Sequence, residues 1–296
     1  MSSPNDLSTL PFAQQQRIRF IESTLLWEGS IQRQRVCDVF RVNANHVTKD
    51  LQIYRERYAK SLEYNPTSRA YEPGVKFRPV LANGDPAEYL SFLLAYAQSQ
   101  SVALLPVLGS AVIPAEVIPA PKLAIDRKVL QQVILATKHG RGIRVQYFSI
   151  SSGEETMRTL WPHALFYTGT YWHVRAFDGR RNAFRNFAIQ RIGEIEADSS
   201  ASPVDSEGDK DWREYETVEI IPNPKLNQHQ KAVIAREFGM CKDGGDWIWS
   251  ERIRRCLVGY FVINFRLDLD EGPTRQAQVV LRNKRNIKKF FFSPEE

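Results

Sequence analysis

Two groups of side chains in this chain are suited to chemistry. The first lies between Ala44 and Tyr58, where Asn45, Thr48, Lys49, Gln52 and Arg55 recur at steps of three and four. On a helix that spacing lines them along one stripe, with His46 beside them and Asn43 ahead as an N-cap. Asn and Gln can pair bidentately with adenine, Arg and Lys with guanine, so the stripe suits reading base edges in a DNA groove. The second group is Tyr147, His163, His173, Arg175, Arg185 and Arg191. Arginine forks match phosphate, and Tyr147 or His173 can stack on or hydrogen-bond a nucleotide. On the residues alone, the same arginines pair equally well with Asp178, Glu194 or Glu196 on a solvated surface.

No catalytic pattern accompanies these groups: the chain has no P-loop, G-x-G-x-x-G, G-x-S-x-G or H-E-x-x-H. His163 and His173 can face each other across a hairpin, but no cysteine or third histidine joins them at ligand spacing, so neither a metal nor a cofactor is expected. The three cysteines, Cys37, Cys241 and Cys256, form no C-x-x-C pair, which excludes a disulfide framework and argues for a reducing, cytoplasmic setting. Cys37 falls on an apolar helix side and reads as a packed thiol. The start of the chain is polar and lacks a basic, apolar leader. The longest apolar tract, Val102 to Ile113, is cut by Pro106 and Gly109 and is too short to span a bilayer.

The elements that must carry the two groups follow from periodicity. A helix is predicted from Phe12 to Glu28, stopped at Gly29, then a shorter one over Gln32 to Phe40 and a third over Ala44 to Tyr58 with Val47, Leu51, Tyr54 and Tyr58 inward. Two short strands flank an Asn65-Pro66-Thr67-Ser68 turn. Residues 79–121 hold six prolines and no basic residue, and read as a connector with one packing helix near Tyr89 to Gln98. A helix over Lys122 to Lys138 precedes strands near 142–149, 156–162, 171–177 and 184–190. In the third strand, Trp172, Val174 and Ala176 are expected in the core, with Tyr171, His173, Arg175 and Phe177 on the opposite face. The acidic, Ser-rich stretch at 198–211 reads as a linker or exposed loop. Beyond it lie a strand at 216–221, a helix over Asn227 to Phe238, a Gly244-Gly245 turn and an apolar run, Cys256 to Leu269, that periodicity leaves open between helix and strand.

Charge follows the same division. The 296 residues carry a net +6, distributed as +4 over 1–78, −3 over 79–121, +6 over 122–197, −3 over 198–210 and +2 over 211–296. Two basic blocks separated by acidic segments suggest two anion-facing modules.

Helix, helix, turn, helix and a two-stranded wing within about 78 residues is the order of a winged helix-turn-helix. At that point the chain resembles WYL-domain winged helix-turn-helix transcriptional regulators of the bacterial phage-defence (BREX/CBASS-associated) type. Gln16, Arg17, Ile18, Phe20 and Ile21, Trp27-x-Gly29, Lys49-Asp50-Leu51 and Tyr71 carry the first part of the resemblance. It departs from the family at Asn43 and Arg41, where Ser and Gly are common. Arg144-Val145-x-Tyr147, Leu160 to Leu165, Tyr171 to Ala176, Phe184 to Phe187 and Gln190 to Ile192 carry the WYL part, although the tripeptide here is Tyr171-Trp172-His173. Pro222-x-Pro224-x-Leu226 and Val258-x-Tyr260-Phe261 resemble the C-terminal extension.

The resemblance implies a multidomain α+β chain: winged helix-turn-helix (1–78), connector (79–121), WYL SH3/Sm-like β-barrel sensing a ligand (122–200) and C-terminal α/β dimerisation extension (211–296). The apolar run Leu257 to Phe265 suits packing on a partner subunit or, equally, a private core. The expected function is a homodimeric repressor of an adjacent defence operon. It would bind an inverted-repeat, double-stranded DNA operator through Asn43, Asn45, His46, Thr48, Lys49, Gln52, Arg55 and Arg69. A nucleotide or oligonucleotide effector would be held by Tyr147, His163, His173, Arg175, Arg185 and Arg191. An activator of the same architecture, or an RNA-binding or RNA-processing factor, is the rival; the missing acid–base and metal clusters count against the latter.

Overall fold

The computed structural model describes residues 7–99, 113–119, 124–269 and 277–292. The chain divides into two compact units, Met1–Pro119 and Ala120–Glu296. Among the described residues no helix is long and apolar enough to cross a membrane. The apolar tract read over 102–113 lies outside the described residues except for its last residue.

In the first unit α1 (Phe12–Glu28) buries Ile18, Ile21 and Leu25, and Gly29, at φ 78°, stops it by donating its N–H to the Leu25 carbonyl. The second helix, α2 (Arg33–Phe40), ends on Arg41 in the left-handed region. Then α3 (Ala44–Arg57) begins on Asn43, whose side chain accepts from the His46 N–H at 3.1 Å. Its inward face carries Val47, Leu51, Tyr54 and also Asp50, a buried carboxylate. Asp50 accepts from Arg17 Nε at 2.5 Å and Gln14 Nε2 at 2.8 Å, fixing α3 on α1 by charge as well as by apolar contact.

The wing is β1 (Leu62–Asn65) paired with β2 (Ala70–Pro73), and an Ile31–Tyr71 bridge adds a third edge. Asn65 Oδ1 accepts from the Thr67 N–H (2.9 Å) and Ser68 N–H (3.3 Å), and Arg69 sits at φ 51°, so the tip is a built turn. Only glycine fits at Gly74, because a Cβ there would lie 2.3 Å from the Lys60 carbonyl oxygen. Beyond the wing, the fully buried Glu22 of α1 accepts from the N–H groups of Val80 (2.9 Å), Leu81 (2.7 Å) and Ala82 (2.8 Å). The connector helix α4 (Pro86–Ser99) follows, with Tyr89 stacked on Trp27 at 5.0 Å.

The second unit opens with α5 (Arg127–His139), capped by Asp126, whose side chain accepts from the N–H groups of Lys128 and Val129. The five strands that follow are β3 (Arg141–Phe148), β4 (Glu155–Tyr167), β5 (Trp172–Asp178), β6 (Ala183–Ala188) and β7 (Ile192–Ala201). They form one antiparallel sheet in the order β6-β5-β4-β3-β7. No edge closes onto another among the described residues, so the sheet is open and the expected barrel is corrected to that extent. The inner face of the sheet (Ile143, Val145, Leu160, Val174, Ala176, Phe187) packs on Val129, Val133 and Ala136 of α5.

The stretch read as a linker or exposed loop is corrected at its two ends. Its first residues extend β7 to Ala201, pairing through the backbone with Arg141 and Gly142, and its last ones start a short helix, α6 (Lys210–Arg213), capped by Asp209. The remaining elements are β8 (Tyr215–Pro222), α7 (Gln228–Glu237), β9 (Cys241–Asp243), β10 (Asp246–Arg254), α8 (Arg255–Asn264), β11 (Val279–Leu281) and α9 (Lys284–Ile287). The sheet order is β11-β8-β10-β9, and Gly244-Gly245 make the β9–β10 turn. The open apolar run proves helical as α8, and its Val258 and Val262 enter this domain's own core with Val218, Ile220 and Ile287.

Candidate functional site

On α3, Asn45, His46, Thr48, Lys49, Gln52 and Arg55 are all exposed, and so are Asn43 at its start and Arg69 at the wing tip. The helix and the wing together form a groove lined by Thr48, Leu51, Gln52, Arg55, Glu56 and Tyr71. Local contacts already hold part of this surface. Thr48 donates its hydroxyl to the Ala44 carbonyl at 2.8 Å and accepts from Arg33 Nη1 at 3.2 Å. Gln52 donates to Glu56 Oε1 at 2.8 Å. Arg33, at the start of α2, is a residue that the helical stripe could not reveal, because it comes from a different element. Behind α3, burial and the neighbouring Glu22 carboxylate push the Tyr54 phenol far above its ordinary range.

The second candidate face lies on β4, β5 and β6. Cross-strand pairing puts His173 opposite Phe166 and Ala188, and Arg175 opposite Ala164 and Asn186. A register shift between Pro162 and Ala164 leaves His163 as the unpaired residue of a bulge. This face is not open to water. His173 is 7% and Arg175 4% exposed, because the segment entering the C-terminal domain lies over them. Strand parity separated the two faces, but it could not show that both are covered; Trp172, expected in the core, is instead 44% exposed.

Asp209 takes the Arg175 fork: Oδ2 accepts from Nε at 2.7 Å and Oδ1 from Nη2 at 2.8 Å. Arg175 Nη1 donates to Asn186 Oδ1 at 3.1 Å, and His163 Nε2 lies 2.9 Å from Asp209 Oδ2. Burial alone would raise the Asp209 pKa, but the hydrogen bonds from Arg175 and His163 outweigh it and hold the carboxyl far below the usual carboxylate range. His173 stacks on Phe166 (5.1 Å between ring centres, 12° between planes), with Tyr260 of α8 5.1 Å away. Its pKa is lowered, by burial first and by the charge of Arg191.

The other expected ligand residues lie elsewhere. Tyr147 is buried on the inner face, edge-on to Phe187 at 5.0 Å, not at a rim. Arg185 pairs with Ala176 and so belongs to the inner-face parity, opposite to Arg175. Arg191 sits in a 3-10 turn, Ile189–Arg191, near His173. The structure thus groups His163, His173, Arg175 and Arg191, and separates Tyr147 and Arg185 from them. Asp209, Asn186, Phe166 and Tyr260 were missed in the sequence, as was the buried Arg158–Asp178 pair at 2.6 Å. The one signal for Asp209 was its place three residues before Trp212, the spacing of an N-cap.

Three family models match. Residues 13–95 match the winged helix-turn-helix domain of the BrxR transcriptional regulator, 128–197 the WYL domain, and 215–287 the C-terminal dimerization domain of the BrxR transcriptional regulator. Among curated relatives, the DNA-binding transcriptional repressor CapW of Escherichia coli (strain KTE188) is 30% identical over 281 residues, covering 93% of this chain and 91% of that protein. The CapW repressor of Stenotrophomonas maltophilia is 29% identical over 292 residues, covering 96% of this chain and 94% of its own length. That of Pseudomonas aeruginosa is 29% identical over 283 residues, with 94% and 91% covered.

Proposed function

The chain belongs to the family of the CapW DNA-binding transcriptional repressors, and on that premise we propose that it is a homodimeric repressor of a neighbouring phage-defence operon. The observation that carries this reading is the exposed stripe Asn45–Thr48–Lys49–Gln52–Arg55 on the third helix of a winged helix. In a two-fold dimer, two copies of α3 enter successive major grooves of an inverted repeat, with half-sites about one helical turn or a multiple apart. Asn43 contributes as a cap, Arg69 reaches phosphate from the wing, and Arg33 supports Thr48. The match of residues 215–287 to a dimerization domain supports pairing through the C-terminal domain.

The effector reading narrows to the face that holds His163, His173, Arg175 and Arg191. Its chemistry, an arginine fork beside stacked aromatic rings, favours a phosphate group attached to a nucleoside or a short nucleic-acid strand. Such an effector lowers operator affinity only by binding the released conformation more tightly. Footprinting on DNA upstream of the chain's own gene tests the main reading. Protection of a symmetric pair of half-sites is the expected result; no protection there, or a single asymmetric half-site bound by monomer, would refute it.

A further inference from the structure

The fork of Arg175, the best phosphate seat on this face, is already full. Nε and Nη2 are held by Asp209 at 2.7 and 2.8 Å and Nη1 by Asn186 at 3.1 Å, and the Arg175 and Asp209 side chains are only 5% and 2% exposed. A carboxylate presents the same two-oxygen edge to a guanidinium as a phosphate does. We infer that Asp209 is a built-in stand-in for the effector's phosphate, so that the effector binds by displacing Asp209 from Arg175 and thereby frees α6 from the WYL face. The inference rests on the proposal that this face takes an anion, and adds what occupies it beforehand.

Three observations support displacement. Asp209 caps a short element: α6 is four residues long and buries none of them. The segment leading to it is held by small local turns, in which Ser202 donates to the Val204 carbonyl and Asp205 accepts from the Glu207 N–H. Beside His163 lies a cavity of about 420 Å³ with Trp161 and Phe184 in its wall and Ser202 and Ser206 at its edge. It offers aromatic surface and hydroxyls for the nucleoside that carries the phosphate.

The same carboxylate links the sensor to the dimerization domain. Asp209 Oδ1 also accepts from the Trp212 N–H at 3.2 Å, and the Trp212 ring lies 5.7 Å from His163 and under the Arg254 guanidinium of β10 at 4.5 Å. Arg254 in turn donates to the Trp212 carbonyl. Removing Asp209 from Arg175 therefore unseats the first turn before β8.

Displacement taxes affinity: the effector's apparent Kd is its intrinsic value divided by the fraction of molecules with Asp209 out. Asp209→Asn keeps the N-cap and the shape but removes the competing charge. Calorimetric titration of the full chain with inorganic phosphate and with a six-nucleotide thymidine strand is the test. The expected result is at least about tenfold tighter binding to Asp209→Asn than to wild type, set by the displacement tax. Phosphate should also raise the melting temperature of that variant more than that of wild type, and the gain should vanish in Asp209→Asn/Arg175→Gln. Unchanged affinity in a folded Asp209→Asn overturns the inference while leaving the anion face intact, whereas a gain that survives the second substitution removes Arg175 as the phosphate seat and overturns both. If Asp209→Asn fails to fold, hydrogen exchange on wild type decides: the thymidine strand should speed exchange of the Trp212, Arg213 and Glu214 amides. A strand that binds and leaves them protected overturns displacement. If neither wild type nor Asp209→Asn binds either probe, the anion face and the inference fall together.

Discussion

Glu22→Gln should destabilise the winged helix without touching the exposed stripe of α3. The carboxylate is fully buried and takes three backbone N–H groups, one on Oε1 and two on Oε2. Glutamine retains one acceptor oxygen and places an NH2 where the other oxygen stood, donor against donor. The one or two amides still accepted lose a charged partner, about 1 kcal/mol each, and at least one becomes a buried unsatisfied donor at about 1–3 kcal/mol. A neutral amide is cheaper to bury than a carboxylate, which returns part of this, so the net loss is about 3 kcal/mol. For a domain of this size, that lowers the melting temperature by roughly 12–24 °C. Scanning calorimetry on the full chain reads it directly. The transition of the winged helix should fall by that amount, and operator affinity well below it should be unchanged. A shift under about 3 °C would show that desolvation of the carboxylate cancels its contacts, and the role given to Glu22 would be wrong.

Asn45→Ala or Gln52→Ala should cost about 1–3 kcal/mol on the operator and little on random DNA in a competition shift assay; equal losses on both would mean that α3 is not reading bases. Arg158→Met leaves Asp178 buried without its partner, so denaturant unfolding should show a loss of about 3–5 kcal/mol. Buried His173 has its pKa held below its ordinary value of 6.5, so the unfolded chain takes up the proton first and stability is lost as pH falls through that value. Melting temperatures between about pH 7 and pH 5 should fall more steeply in wild type than in His173→Gln, and parallel slopes would place the titration elsewhere. Truncation before Asp211 should lower the mass on a sizing column with light scattering; an unchanged dimer would move the partner contact to another domain.

The first unit was legible because each of its boundaries has a local cause. Ile18, Ile21 and Leu25 keep helical period, Gly29 stops α1, Asn43 starts α3, and Asn65 turns the wing. The face around Arg175 was legible only in part. Alternation in β5 distinguishes two sides, but a second protein layer over His173 and Arg175 leaves no trace in the strand itself. The acid that satisfies Arg175 lies 34 residues away, in a stretch whose Ser and Asp content resembles a linker. Composition misleads there because the β7 extension to Ala201 pairs through its backbone, which any side chain permits. The Arg158–Asp178 pair escaped for a related reason: a charged residue at a core position reads as exposed until its partner is known.

The bulge at His163 gives β4 two reading frames. Before it, even-numbered residues look inward, Arg158 and Leu160 among them; after it, odd-numbered Leu165 pairs with Val174 on the inner face while Phe166 turns out to stack on His173. One strand thus spells two messages whose phase differs by a single residue. Deleting His163 itself would turn the bulge into regular pairing, with Pro162 and Leu165 still inward and Ala164 and Phe166 still outward. The outer aromatic stack would survive that deletion, and what would be lost is the imidazole beside Asp209. A one-residue insertion between Ala164 and Phe166 would instead carry Phe166 to the inner face and away from His173.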